Sequence, residues 1–413
     1  MRRAGWALAA AGLLALTACA GPGAGANAGG APKELTVWIM GDSSAHFEQL
    51  VKPFADRSGI GVDTVAIPWD SIDQKFTTAV ASGNGPDVLQ IGLSKLRTFA
   101  DSGALLELDE RTLKDHPGLA TANFLDGVAG FATTDGGHPV SVPWVSDTRV
   151  LFYRTDILAD RGLTEPPATW DEVRAHAKVL AGRGKGRYGF HIPQWDNALP
   201  VIMTWTQGGR IVDAAGAIDF DTPEFRKAVD IYTGLYADGS VPADPDFDQV
   251  QGFVSGVTPM LVSGPYLGSA IAAAAPELDG KWAVAPIPGG AARTSLLAGS
   301  NLAVWRASDN RDGALRLLDH LSQPQTQLTW YALDGQLPVT KAALGDPKLT
   351  SDPFTAVYAE QLADAQPLPP VPNWDGETGK ALLDTLNSIV LTGANRDTAL
   401  RDLYAATSGT SAG

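Results

Sequence analysis

The sequence predicts an α/β protein of two lobes, each a mostly parallel sheet flanked by helices. Three observations predict it. The chain has 413 residues, more than one hydrophobic core of ordinary size can organise. Hydrophobic residues make up 44% and charged residues 19%, which excludes a disordered chain and a coiled coil. From Glu34 onward, apolar runs of strand period alternate with runs of helical period, the order that a parallel sheet covered by helices requires.

The elements follow in order. Residues 34–40 alternate, with Leu35, Val37 and Ile39 on one face, and read as a strand. Gly41 and Asp42 turn the chain, and Ser43 or Ser44 can cap a helix with the apolar stripe Phe47, Leu50, Val51 and Phe54. Pro53 inside that stripe predicts a kink. Residues 60–67 form a second strand, a helix runs from Trp69-Asp70 to about Ser82, and residues 86–91 form a third strand. Ligands of such sheets bind beyond the carboxyl ends of the strands, where Asp42, Ser43, Trp69 and the Gln90–Ser94 stretch fall. A second block has strands at 140–142, 150–153 and 188–192. Thr169 and Glu172 form a capping box opening a helix with Val173, Ala177 and Leu180, and Thr222-Pro223 starts another. From Ala405 the chain is of low complexity and is expected to fray, giving a disordered tail at 406–413.

The leader carries its own chemistry. Arg2 and Arg3 precede an apolar run, Trp6 to Leu16, too short to span a membrane permanently, and the run ends at Leu16-Thr17-Ala18-Cys19. This resembles a bacterial lipoprotein processing site. The resemblance implies cleavage after residue 18 and lipidation of Cys19, which anchors the protein to the outer face of the cell membrane. Residues 19–32 are nearly all Gly, Ala and Pro and read as a lipid-anchored tether. The chain has 31 Lys and Arg against 46 Asp and Glu, a net charge of −15; without residues 1–18 the balance is 29 against 46, or −17. Nucleic acid is thus not an expected partner. Cys19 is the sole cysteine, so neither an intramolecular disulfide nor a thiolate zinc cluster can form.

The order of segments resembles the extracellular solute-binding proteins of ABC importers, in particular the sugar and oligosaccharide group that includes maltose-binding protein. The pieces that carry this are residues 35–42, 54–62, Gly85-Pro-Asp-Val88, Ser102-Gly-Ala-Leu105, Pro143-Trp144 through Asp156, Pro167–Glu172, Pro259–Tyr266, Ala298–Asn301 and Gly335–Pro338. The resemblance implies a two-lobed periplasmic-binding-protein-like fold of type II with three hinge crossings, near 142–144, 296–299 and 337–341. The domains would be 33–142 with 299–337 for lobe I, and 143–298 with 338–405 for lobe II. It also implies a monomer that traps a sugar between the lobes and presents it to an ABC permease, with no cofactor.

A pyranose offers apolar C–H faces and a rim of hydroxyls, so its site needs flat aromatics and fixed polar groups. On the resemblance, Asp42 and Ser43 match hydroxyl-binding positions, and Tyr266 and Trp195 match stacking positions, with Gln194 and Asp196 as polar neighbours. Trp69, Trp144 with Asp147, Asn301 and Trp374 complete the candidate set. The chain departs from maltose-binding protein at Ile91–Ser94, which lacks an aromatic and a carboxylate, and at Ser43, where that protein has Lys; maltose is therefore not the expected ligand.

Other aromatics have plainer readings. Trp38, Trp282, Trp305 and Trp330 are expected in the core, as are Phe47 and Trp170, and Asp87 is expected to be structural. Arg149 is open between pairing with Asp147 and reaching the cleft. Gly184–Gly189 matches the dinucleotide glycine pattern but lies between a helix and a strand, the reverse of the required order. Gly409–Gly413 matches a nucleophile elbow but has no strand before it. The six histidines lack ligand spacing, so no metal is expected. The expected function is binding without catalysis. Two alternatives stay open: the same fold binding a polyamine or other non-sugar solute, and an anchored glycan-degrading enzyme.

Overall fold

The computed structural model describes residues 34–41, 43–69, 71–125, 128, 137–369, 371 and 373–411. Strands are numbered in chain order and helices are given by range. The strands β1 (Glu34–Met40), β2 (Gly61–Ile67) and β3 (Val88–Gly92) stand within two residues of expectation. Helix Ser44–Ser58 buries the expected stripe of Phe47, Leu50, Val51 and Phe54 and ends at Gly59, whose φ of 72° takes the left-handed turn. Pro53 lies inside this helix, which continues through it to Ser58. Helix Ile72–Ser82 links β2 to β3.

Lobe I is built on one sheet. β1 pairs in parallel with β2 and with β3. β8 (Ser295–Val304) and β4 (Val142–Thr148) extend the sheet, giving the order β2-β1-β3-β8-β4. β8 runs antiparallel to both β3 and β4, so the sheet is mixed rather than mostly parallel. The reason is topological: β8 re-enters lobe I after an excursion through lobe II and comes in from the opposite end. Of the strand expected at 140–142 only Val142 belongs to β4, which runs on to Thr148 with a bulge between Pro143 and Val145. One face of the sheet buries Leu35, Val37 and Ile39 against Phe47, Trp144 and Trp330. The other buries Trp38 and Met40 against Phe76, Phe99 and Trp305.

Lobe II has a smaller antiparallel sheet, β6-β5-β7, of β5 (Val150–Tyr153), β6 (Met260–Ser263) and β7 (Ala283–Ala285). Residues 188–192 do not form the expected strand. They make a single parallel bridge, His191 to Leu261, because the amides of Gly189 and Phe190 both turn to the Ser240 carbonyl. Helix Trp170–Ala181 starts on its capping box: Thr169 Oγ1 accepts from the Glu172 amide at 3.2 Å, and Glu172 reaches back to the Ala168 N–H at 2.7 Å. Helix Pro223–Ala237 starts on Thr222 in the same way. Helix Arg396–Thr407 passes the expected end of structure, and residues beyond it are held as far as Ser411: the Ile218 amide donates to the Thr410 carbonyl, and Ser411 bridges Ala217.

The crossings set the site. β4 stays paired with β8 through Thr148, and β5 starts at Val150, so the first crossing lies at 148–150, past the expected 142–144. Leu296 packs in the lobe II core and Leu297 in the lobe I core, which puts the second crossing between them. At the segment expected as the third crossing, Leu337 packs with lobe II while Trp330 before it and Val339 after it pack in lobe I, so the chain does not pass over at 337–339; the Ser146 amide and hydroxyl tie the segment down through the Leu337 and Pro338 carbonyls. Val339 and Thr340, the latter bridging Phe124, thereby join lobe I. Among the described residues, no helix is long and apolar enough to cross a membrane. Cys19, the leader and tether, and Asp42 lie outside the described residues.

Candidate functional site

β3 and β4 both run antiparallel to β8 and are therefore parallel to each other, so β1, β3 and β4 end on the same side of lobe I. That side leads into the first crossing. In lobe II, β6 ends at Ser263, which pairs with Val150 just past the crossing, and His191 makes a parallel bridge to β6. The carboxyl ends of the strands in both lobes thus meet at Asp147–Val150, where ligands of α/β sheets bind.

Three exposed aromatics stand at these ends. Trp69 follows β2 and is 47% exposed. Its indole lies over two glycines at the ends of β1 and β3: a Cβ on Gly41 would sit 3.2 Å from Nε1, and one on Gly92 would sit 3.1 Å from the ring. Trp195 is 61% exposed and Tyr266 43%. Tyr266 opens helix Pro265–Ala274, and its hydroxyl is fixed by donation from Gln249 Nε2 at 2.9 Å and Ser263 Oγ at 3.1 Å. Large aromatics are normally buried, so each of the three left open is a candidate ligand contact.

At the crossing, Arg149 Nη1 donates to Asp147 Oδ2 at 3.3 Å. Both side chains are mostly buried, and Asp147 Oδ1 and Arg149 Nε have no hydrogen-bond partner. Gly264 makes room for the pair, since a Cβ there would fall within 2.5 Å of the guanidinium and 2.7 Å of the carboxylate. Burial raises the pKa of Asp147, opposed by the charge of Arg149. Burial works against the Arg149 charge as well, but Asp147 and Asp196 outweigh it and hold the guanidinium charged. The site therefore offers one acceptor and one donor that the protein leaves unused, which is costly unless a ligand completes them.

The other candidates lie as follows. Ser43 is half-buried at the start of helix Ser44–Ser58, and its side chain makes no capping bond. Gln194 is half-buried with Nε2 unpartnered. Asp196 is buried and caps helix Ala198–Thr206 through the Ala198 amide at 2.9 Å. Trp144 is 1% exposed and lies inside lobe I, edge-on to Phe47 and 5.3 Å from Trp330; its place on β4 faces the core, not the cleft. Asn301 is fully buried in the middle of β8, donating to Ser141 Oγ at 2.9 Å. Trp374 is 1% exposed, with Nε1 donating to Asn197 Oδ1 at 3.1 Å, yet one edge lines a cavity of about 500 Å³ with Phe76, Ser94 and Asp375. That cavity spans the lobes, and Ser94 Oγ donates across it to Asp375 Oδ2 at 3.0 Å.

Sequence reasoning left Arg149 undecided. The signal was present: residues i and i+2 of an extended chain share a face, so Arg149 had to stand beside Asp147. Asp375 and Gln249 were not singled out, and no local pattern marks them. Asp87 is structural as expected, accepting from the Thr36 amide and from Ser308 and Asn310. Trp38, Trp305, Trp330, Trp170 and Phe47 are buried, whereas Trp282 is half-buried. Among the described residues, no group of three or more His, Cys, Asp or Glu is placed to hold a metal.

Residues 40–328 match the family model of bacterial extracellular solute-binding proteins. The chain is 28% identical over 381 residues to the diacetylchitobiose binding protein DasA of Streptomyces coelicolor, covering 88% of this chain and 87% of that protein. It is 26% identical over 327 residues to the sn-glycerol-3-phosphate-binding periplasmic protein UgpB of Salmonella typhimurium, covering 72% and 73%. Its structure is similar to that of the sugar-binding protein MalE of Xanthomonas citri, with a TM-score of 0.82 at 27% identity over 91% of this chain and 96% of that one.

Proposed function

Because the chain belongs to the bacterial extracellular solute-binding protein family, we propose that it captures a sugar or oligosaccharide between its lobes for an ABC importer. One observation carries this reading: Trp69, Trp195 and Tyr266 are left exposed, and the Asp147–Arg149 pair at the crossing is half-satisfied. The rings suit the C–H faces of a pyranose, and the free carboxylate oxygen and guanidinium N–H suit its hydroxyls. Ser43 and Gln194 add polar groups, and Asp42 is proposed with them from its place in the sequence. Sugar contacts on both lobes favour the closed form, because only differential affinity shifts such an equilibrium. The closed form is what the permease reads, and the protein acts as a monomer without turning its ligand over. Lipidated Cys19 and the tether of residues 19–32 hold it at the outer face of the membrane.

The polyamine reading is weaker in view of Arg149. A buried guanidinium at the crossing repels a polycation, and an amine would compete with it for Asp147. Similarity to DasA and MalE also supports a sugar.

A thermal-shift screen of mono- and oligosaccharides tests the reading. Ligand at one hundred times its Kd should stabilise the fold by about 2.7 kcal/mol. A polyamine that raises the melting point where every carbohydrate fails would overturn it, and release of sugar products on incubation would favour the enzyme. Cys19→Ser should shed the protein into the medium, and its retention on the membrane would refute the anchor.

A further inference from the structure

A second cavity, of about 520 Å³, lies on the far face of helix Pro265–Ala274, the helix whose first turn presents Tyr266 to the cleft. Small residues of that helix, Gly268, Ser269 and Ala272, leave the space open. Its walls are aromatic. Trp282 stacks on Phe152 at 5.7 Å and packs at 4.5 Å against Phe354, and Tyr331 adds a fourth ring from the end of helix Pro324–Asp334. Trp282 has the composition of a core residue yet stays half-buried because this space is unfilled.

The polar groups around it are one-sided. Asp279 and Asp352 both line the cavity, and among the described residues no Lys, Arg or His does. Asp279 is exposed, and Asp352 spends Oδ2 on the Thr355 amide and hydroxyl, leaving its other oxygen without a bond in the helix cap. Tyr358 adds a fifth ring to the wall. Aromatic faces attract a cation, and carboxylates do so more strongly. A sugar would meet few polar partners here, and an anion would be repelled.

We propose that this cavity is a second binding site, separate from the cleft, for an organic ammonium ion with an aromatic or apolar body. The aromatic walls take the body, and Asp279 and Asp352 take the ammonium head. The site does not depend on what the cleft binds. It touches Gly335 and Leu337, where the chain from lobe I packs with lobe II.

The test is a thermal-shift and saturation-transfer NMR titration of the full chain with 2-phenylethylammonium and with 2-phenylethanol, its neutral counterpart. The ammonium should raise the melting point at a concentration about five-fold or more below that needed for the alcohol. Gly268→Leu should abolish both responses; its Cβ would sit 3.5 Å from Trp282, an ordinary contact, and the rest of the side chain would fill the space. Ala272→Trp gives a second block if the first fails to fold. Asp279→Asn with Asp352→Asn should bring the ammonium down to the level of the alcohol, with the cap kept by Asn. Equal response to the two probes overturns the charge preference. No response, or a response that survives in a folded blocking variant, overturns the site. Carbohydrate binding in the cleft is unaffected by any of these outcomes and is read separately.

Discussion

Trp144 and Trp195 are the same side chain in opposite settings. Trp144 sits within β4, where strand geometry turns it into lobe I beside Phe47 and Trp330. Trp195 sits three residues beyond the bridged segment at His191 and is the most exposed large hydrophobic residue described. The difference teaches where this fold spends its aromatics: inside the sheet they hold a lobe together, and past the strand ends they are free for a ligand. A nearby preceding Pro, Pro143 or Pro193, cannot tell the two apart, but the strand boundary can.

The comparison can be broken first at Trp144. Trp144→Ala should cost about 3–5 kcal/mol of stability, seen as a lower urea midpoint with unchanged slope. A near-neutral result would remove Trp144 from the core. The next test lies just inside the boundary. Burial lowers the pKa of His191 to about 4, so the folded state takes up its proton later than the unfolded chain does. Stability from this group is whole above the unfolded value near 6.5, falls as the pH drops toward about 4, and is level below, a loss of about 3 kcal/mol. His176 and His320 are lowered by burial as well and act in the same sense. His191→Gln should flatten part of the slope of the urea midpoint between pH 6.5 and 4, and an unchanged slope would show that His191 is not held neutral.

Past the boundary the effects change kind. Trp195→Ala and Tyr266→Ala should each leave stability within about 0.5 kcal/mol while weakening carbohydrate binding by about 2 kcal/mol, roughly thirty-fold, by calorimetry. Loss of stability with intact binding would reverse the assignment. The smallest effect is expected at Ser94→Ala, which removes the hydrogen bond to Asp375 across the lobes. It should alter affinity by less than about 1 kcal/mol, chiefly through the dissociation rate in a stopped-flow trace, because the bond forms only where the lobes meet.

Much of the fold could be read from the sequence. β1, helix Ser44–Ser58 and helix Trp170–Ala181 each carry a strong local period or a cap, and they stand where those signals put them. The mixed order of the lobe I sheet could not be read, because the antiparallel entry of β8 follows from where the chain returns, some 150 residues after it leaves. Residues 188–192 have strand composition but lose their partners to the Ser240 carbonyl, a contact with no local trace. The exposure of Trp69 and Tyr266, each just past a strand end, is what the sequence predicts of a loop position. Trp144 misled because β4 is longer than its apolar start at Val140–Val142 implies. Asn301 misled because it lies inside β8, not after it. Asp375 was illegible because its role comes from a partner 281 residues away.

Only Thr148 separates the carboxylate that ends one half of the molecule from the guanidinium that begins the other. A spacer of one residue cannot stretch, so relative motion there is confined to torsion of a few backbone bonds. Each degree of that torsion bears on the Asp147–Arg149 contact. The position of the halves and the reach of the two charged groups are thus geared together, and whatever fastens onto one is felt as an angle by the other.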